Sequence, residues 1–227
     1  TVPRTRLARI EWLFLPALST GDREPRVLHQ ELVADPVFFA ELVSWVFRPE
    51  TEGDEGQALE MEQPSDEQVT RARLARDLLH SWKQVPGYRP GGGFDGAVLH
   101  EWVTRARAEC AARRRAGIGD DQIGRLLSHA PGGSDGIWPI EPVRELIEEL
   151  ASPDLDNAVE VGLYNQRGVM TRALRGGGNP ERNLAQRYRD WASAVAAWPR
   201  TASLLRKVAE TYESDARRWD IQSDLEE

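Results

Sequence analysis

A chain of 227 residues, 40% hydrophobic and 29% charged, is long enough to bury a sizeable core and has the make-up of an ordinary globular protein. Its net charge of −8 is local, because residues 50 to 67 hold eight of the 37 acids and no base. The rest is formally neutral, which supports neither a basic nucleic-acid surface nor an acidic mimic of DNA. No run approaches the roughly 18 apolar residues that span a membrane.

The chain starts Thr1-Val2-Pro3 without an initiator Met, which suggests a piece of a longer polypeptide. No charged n-region leads into an apolar core and cleavage site, and the single Cys110 excludes an internal disulfide, so a reducing cytoplasm is expected. Lys occurs only at positions 83 and 207. With abundant Ala and Gly, that Arg excess reflects the codon bias of a GC-rich bacterial genome rather than phosphate binding.

Residues 4–18 read as a helix so densely apolar, at Leu7, Ile10, Trp12, Leu13, Phe14 and Leu15, that more than one face must be covered. Pro16 is expected to end or kink it. A short helix follows from about Pro25 to Ala34. Asp35-Pro36 then forms a cap and first-turn pair for a helix from Val37 to Phe47, whose apolar residues cover adjoining faces. That helix is either central to the core or, through Phe38, Phe39, Trp45 and Phe47, an interaction surface. Residues 48–64 have the charge and turn content of a disordered loop and give the best internal boundary. The expected organisation is N-terminal helices over 1–49, an acidic flexible loop over 50–64, and a main helical region over 65–227 packed with 1–49 as one domain.

Ser65-Asp66-Glu67-Gln68 is a capping-box pattern opening a helix to about Lys83. After a loop rich in Gly and Pro, Asp95 caps a helix with Leu99, Trp102, Val103, Ala106 and Cys110 inward, and Gly117 is expected to end it. Cys110 reads as a buried small hydrophobe. The other faces of this helix carry Arg105, Arg107, Arg113, Arg114 and Arg115. They form the strongest local basic signal and a candidate contact for nucleic acid, although a charge run is usually a solvated face and no aromatic platform accompanies it. Further helices are expected over 120–129, from 140 onward with Val143, Leu146, Ile147 and Leu150 inward, and after the cap pair Ser152-Pro153. One helical turn is expected around Thr171 to Leu174.

Tests for chemistry fail one by one. Gly132-Gly133-Ser134-Asp135-Gly136 fits the G-x-S-x-G pattern but lacks the preceding strand of a nucleophile elbow. His100-Glu101 has Thr104 where a zinc-protease helix needs its second His. His29, His80 and His129 have no ligand-spaced partner and read as surface histidines. The glycine triplets 91–93 and 176–178 lack the Lys-Ser/Thr ending of a P-loop and read as flexible linkers. The helices around the 130–139 loop are too far apart for a DNA-reading unit, and the second exposes Glu141, Glu145, Glu148 and Glu149 beside Arg144. No catalytic residue, metal or cofactor is expected.

The last fifty residues carry the clearest pattern. Asn179 is a candidate cap, and Leu184, Tyr188, Trp191, Val195 and Trp198 share one helical stripe. Pro199 breaks the run, and Leu205, Val208, Tyr212 and Trp219 form a second stripe, so the two helices should fold back as an αα-hairpin. Trp198 and Trp219 are candidates for a surface role.

Three stretches, from Asp22-Arg23-Glu24-Pro25 to Phe47-Arg48-Pro49, Asp135-Gly136-Ile137-Trp138-Pro139 to Arg144, and Glu181 to Glu213, together resemble the C-terminal helical region of large, multidomain, uncharacterised bacterial proteins. The resemblance implies a helical appendage of a larger polypeptide and transfers no active site. The resulting expectation is an all-α fold of about ten helices, in an irregular bundle or a stack of helix pairs, that serves protein–protein interaction or scaffolding. Its partner is a separate protein or an upstream domain of the same polypeptide.

Overall fold

The computed structural model describes residues 4–20, 23–50, 64–89, 93–167 and 177–225. The acidic stretch 51–63, most of the first glycine triplet and the expected turn at Thr171 to Leu174 lie outside them. The fold is all-α, with ten helices among the described residues: α1 (Arg4–Thr20), α2 (Arg26–Ala34), α3 (Pro36–Val46), α4 (Asp66–Ser81), α5 (Gly96–Ala112), α6 (Ala116–Leu127), α7 (Glu141–Leu150), α8 (Pro153–Asn165), α9 (Asn179–Ala194) and α10 (Pro199–Leu225). The described strand is limited to β1 (Tyr88–Arg89) and β2 (Gly93–Phe94), an antiparallel clasp in which Tyr88 pairs with Phe94.

Local capping chemistry sets four of the ten described helix starts. Asp35 accepts from the Val37 N–H at 2.9 Å, and Asp95 and Ser152 accept from Val98 and Leu155 at 3.2 and 3.4 Å. Both halves of the Ser65–Gln68 capping box form, at 3.3 and 2.8 Å.

Four expectations are corrected. Pro16 does not end α1, which runs on to Thr20; the ring forfeits one backbone bond near the helix end, while the neighbouring Leu15 is buried. α5 stops at Ala112 rather than Gly117. Arg114 turns to φ 57°, and the N–H groups of Arg113, Arg114 and Arg115 donate back to the carbonyls of Cys110 and Ala111, closing the helix and freeing Gly117 to begin the next one. Asn179 is the first residue of α9, not its cap. Gly178 precedes it, because a Cβ there would lie 2.2 Å from the Ala216 carbonyl oxygen; this glycine is a point of close approach, not a flexible linker.

The chain divides into two compact units, residues 1–122 and 123–227, with the division inside α6. In the first unit α3 packs on α4 and α5, burying Phe39, Ala40, Leu42 and Val43. Phe39, Trp82 and Trp102 meet with ring centroids 5.2 to 6.0 Å apart, and the Trp102 indole N–H donates to the Leu32 carbonyl at 3.0 Å. Cys110 is fully buried beside Gly119, where a Cβ would lie 2.9 Å from its sulfur. Burial pushes its thiol up to about 11.

In the second unit α10 packs along α9 as the expected hairpin and also touches α7 and α8. The inner face of α9 is Ala185, Tyr188, Ala192 and Val195, with Leu184 and Trp191 only partly buried, so the stripe is rotated from the one expected. Small residues let the two helices approach, and Tyr188 stacks on Tyr212 at 5.7 Å.

Candidate interaction surface

The inner side of α1 is fixed by three contacts. Leu15 is buried, Trp12 meets Trp45 edge-on at 5.7 Å, and Glu11 accepts from the Leu28 N–H at 2.9 Å. At about 100° per residue, Ile10, Leu13 and Ala17 fall on the opposite side, with Leu7 and Phe14 along its edge next to Glu11. All five are exposed, Leu13 at 69% and Phe14 at 60%. Arg6 and Arg9 are exposed beside them, and among the described residues neither has an ion-pair partner. The result is a contiguous apolar strip with a positive N-terminal half and no exposed acid. Apolar side chains grouped on one helix face differ from those scattered singly over a surface.

The aromatic residues singled out from sequence lie elsewhere. Phe39 is at the centre of the first unit and cannot be a contact surface. Phe38, Trp45 and Phe47 are partly buried; the Arg71 guanidinium sits 5.5 Å from the Trp45 ring centroid. Trp198 and Trp219 are also partly buried, and the Arg144 guanidinium lies 5.2 Å from the Trp198 ring. The apolar density of α3 therefore serves the core, and α1 carries the open face. The apolar density of α1 is visible in the sequence, but which of its sides is covered depends on packing with α2 and α4.

Most of the arginine cluster is committed inside the first unit. Arg107 grips Asp120 with two bonds of 2.7 and 2.9 Å, which raises the arginine further above its ordinary range. Arg113 bonds the Glu109 side chain and carbonyl at 2.6 and 2.8 Å. Arg115 donates to the Phe47 and Ser44 carbonyls at 2.8 and 3.1 Å, tying the end of α3 to the turn before α6. Arg114 donates to the Glu50 carbonyl at 3.0 Å, and the Glu50 carboxylate accepts from Gly117 at 2.8 Å. Arg105 is exposed and has no described ion pair.

Other polar residues also differ from their expected places. His29 is buried, not on the surface; burial lowers its pKa, against a smaller opposing effect of Glu24. Its Nε2 lies 3.1 Å from Ser81 Oγ, near a cleft of about 980 Å³ lined by Arg23, Arg26, Asp77, His80 and Lys83. Ser81 gives its proton to the Leu78 carbonyl at 3.0 Å, so the imidazole donates to the hydroxyl, the reverse of what a nucleophile needs. Among the described residues no three His, Cys, Asp or Glu side chains group as a metal site requires, and no helix is long and apolar enough to cross a membrane.

In the second unit the Gly132–Gly136 stretch is a turn. The Gly133 N–H donates to the Ile137 carbonyl at 2.8 Å, and Asp135 accepts from Ile137 at 3.0 Å. Arg144, expected on the surface, is 3% exposed and anchors this turn. Its Nε donates to the Pro139 carbonyl at 2.5 Å, Nη2 to that of Ile137 at 2.8 Å, and both terminal nitrogens to Asp135 at 2.9 and 3.2 Å. Glu148, expected to be exposed, caps α10 instead, accepting from the N–H groups of Arg200 and Thr201 at 3.1 and 2.8 Å. No protein-family model matches the chain, and neither a curated protein nor a solved structure does.

Proposed function

We propose that this chain is a helical protein–protein interaction or scaffolding module of a larger bacterial protein, without catalysis of its own. Its docking element is the outward face of α1. The observation that carries this reading is the exposure of Leu7, Ile10, Leu13 and Phe14 on one side of a helix whose other side is anchored. Burying such side chains is worth about 1.5–3 kcal/mol each, which supplies a driving force for association. The nucleic-acid alternative through Arg105, Arg107, Arg113, Arg114 and Arg115 loses support. Four of those five guanidiniums are occupied by protein carbonyls and carboxylates.

Affinity capture from the source lysate tests the proposal, using this chain and the full-length protein side by side, each as wild type and as Leu13→Asp/Phe14→Asp. A partner retained by wild type and lost from the double variant is the expected result. Equal retention by wild type and double variant overturns it, as does the absence of any retained partner on both this chain and the full-length protein.

A further inference from the structure

Tyrosine rings meet in the second unit, and their hydroxyls differ. Tyr212 of α10 lies 5.4 Å from Tyr164 of α8 and stacks on Tyr188 of α9 at 5.7 Å. The Tyr164 hydroxyl donates to the Asp215 carboxylate at 2.6 Å, tying α8 to α10. Tyr188 and Tyr212 are 9% and 1% exposed, and neither hydroxyl has a hydrogen-bond partner among the described residues. A buried phenol ordinarily finds such a partner. Two adjacent phenols without one leave donors open to an incoming group.

Both rings line a cleft of about 410 Å³ between the end of α8 and the start of α9, a volume within the range of small-molecule sites. Leu163, Pro180 and Leu184 supply apolar walls. Some of its polar side chains are already engaged. Gln166 is held by Ser128 at 2.8 and 2.9 Å, and Arg167 is paired with Glu181 and lies over the Tyr212 ring. Arg187 and Asn183 are exposed at the rim, and Arg187 has no described ion pair. No acid among the described residues lines the cleft. Burial pushes both phenols above their ordinary range, Tyr212 to about 12, so each keeps its proton at neutral pH and can donate. Arg187 acts on Tyr188 in the opposite sense, which places its charge near that phenol.

We infer that this cleft binds a small aromatic carboxylate, with its ring against the apolar walls and the tyrosine pair and its carboxylate at Arg187 and the phenol hydroxyls. Donors beside a cation call for an anionic acceptor. The apolar walls call for a hydrophobic body, and the tyrosine pair accommodates a further ring by offset or edge contact. The site is separate from α1, because all of its residues belong to the second unit.

Titration of this chain with naphthoate, followed by ligand-detected NMR, tests the assignment, with naphthylmethanol as the uncharged analogue. Naphthoate should bind saturably and about fivefold more tightly than the alcohol. Tyr188→Phe keeps the ring and its stack, so it should weaken naphthoate about tenfold, the effect of one bond to a charged group. Arg187→Met should weaken it about threefold, as expected for an exposed charge. Thermal melts without ligand separate binding from structure. With no partner to lose, Tyr188→Phe and Tyr212→Phe should melt at or above the wild-type temperature. Leu13→Asp on α1 should bind naphthoate as the wild type does.

Absence of saturation at about 10 mM naphthoate overturns the inference, as does equal binding by wild type and Tyr188→Phe. Loss of binding in Leu13→Asp also overturns it, because the probe then sits on α1. Equal affinity for the alcohol refutes the carboxylate. A lower melting temperature of either phenylalanine variant refutes the open donor, because that hydroxyl is then bonded within the fold.

Discussion

Replacing Arg144 by Met tests the largest departure from expectation in the second unit. The substitution keeps much of the volume and removes every donor. The Pro139 carbonyl loses its Arg144 donor and the Ile137 carbonyl is left with the Gly133 N–H alone, and bonds from a charged donor contribute about 1.5–3 kcal/mol each. Asp135 also loses its fork, but its side chain is 43% exposed and water takes over, so little charge penalty remains. Loss of the cation over Trp198 adds a smaller amount, and the donor that Ile137 keeps subtracts from the sum, so the expected cost is about 3–5 kcal/mol, in the range for breaking a buried pair. Asp135→Asn, which keeps a side-chain acceptor at an exposed position, should cost far less than Arg144→Met. The pH dependence has a definite sign. Arg144 holds the Asp135 carboxyl below its ordinary range, so this contribution is present above the unfolded carboxylate pKa and is lost as pH falls below about 4. Urea unfolding at pH 7 and pH 3, followed by tryptophan fluorescence, measures all three quantities. If Arg144→Met costs no more than Asp135→Asn at pH 7, the guanidinium is not the anchor of the 131–139 turn.

The close approach at Gly178 predicts that Gly178→Ala destabilises the hairpin by more than about 2 kcal/mol, since the new methyl meets backbone that cannot swing aside; Gly93→Ala, with nothing within 4 Å, is the control, and equal urea midpoints would refute the contact. Trp191 is only partly buried, with its ring edge-on to Tyr188 at 5.3 Å, so Trp191→Ala should cost about 1–2 kcal/mol, less than the 3–5 kcal/mol of a core tryptophan. A thermal melt showing the larger loss would place that ring in the core. Cys110, fully buried with its thiol pushed up to about 11, should resist a disulfide reagent at pH 8 until denaturant is added, and fast labelling of the native chain would contradict its burial.

Features that depend on neighbours within a few residues were legible in the sequence. The caps at Asp35, Ser65, Asp95 and Ser152 form as their local spacing indicates, and the five inward residues of α5 are the five that helical periodicity selects. Features settled by contacts distant in the chain were not. Glu148 looks like a solvated acid until the start of α10 arrives 52 residues later to be capped by it. Gly178 looks like a linker until Ala216 is laid against it. The inner face of α9 is rotated from the stripe of its large residues. A close helix pair prefers alanine at the contact and leaves Trp191 at its margin. For the same reason the candidate surface was only half legible. Periodicity identified an over-apolar N-terminal region, but α1 and α3 were indistinguishable until packing had covered one and spared the other.

The arginines connect these observations. A guanidinium has five donors in a planar fork, so in a chain with only two lysines it becomes the means of tying carbonyls and carboxylates together. Arg115 does this for the ends of α3 and α5, Arg107 for α5 and α6, and Arg144 for the turn before α7. An arginine cluster in such a protein carries little information about external anions, because its charge is already committed to the fold. The informative cations are those left without a described partner beside an apolar surface. Arg6 and Arg9 on α1 meet that condition, whereas Arg105 has no comparable apolar strip along its own face of α5. The pairing of uncommitted charge with uncommitted hydrophobic area distinguishes α1 from the partly buried aromatic residues of α3 and α10.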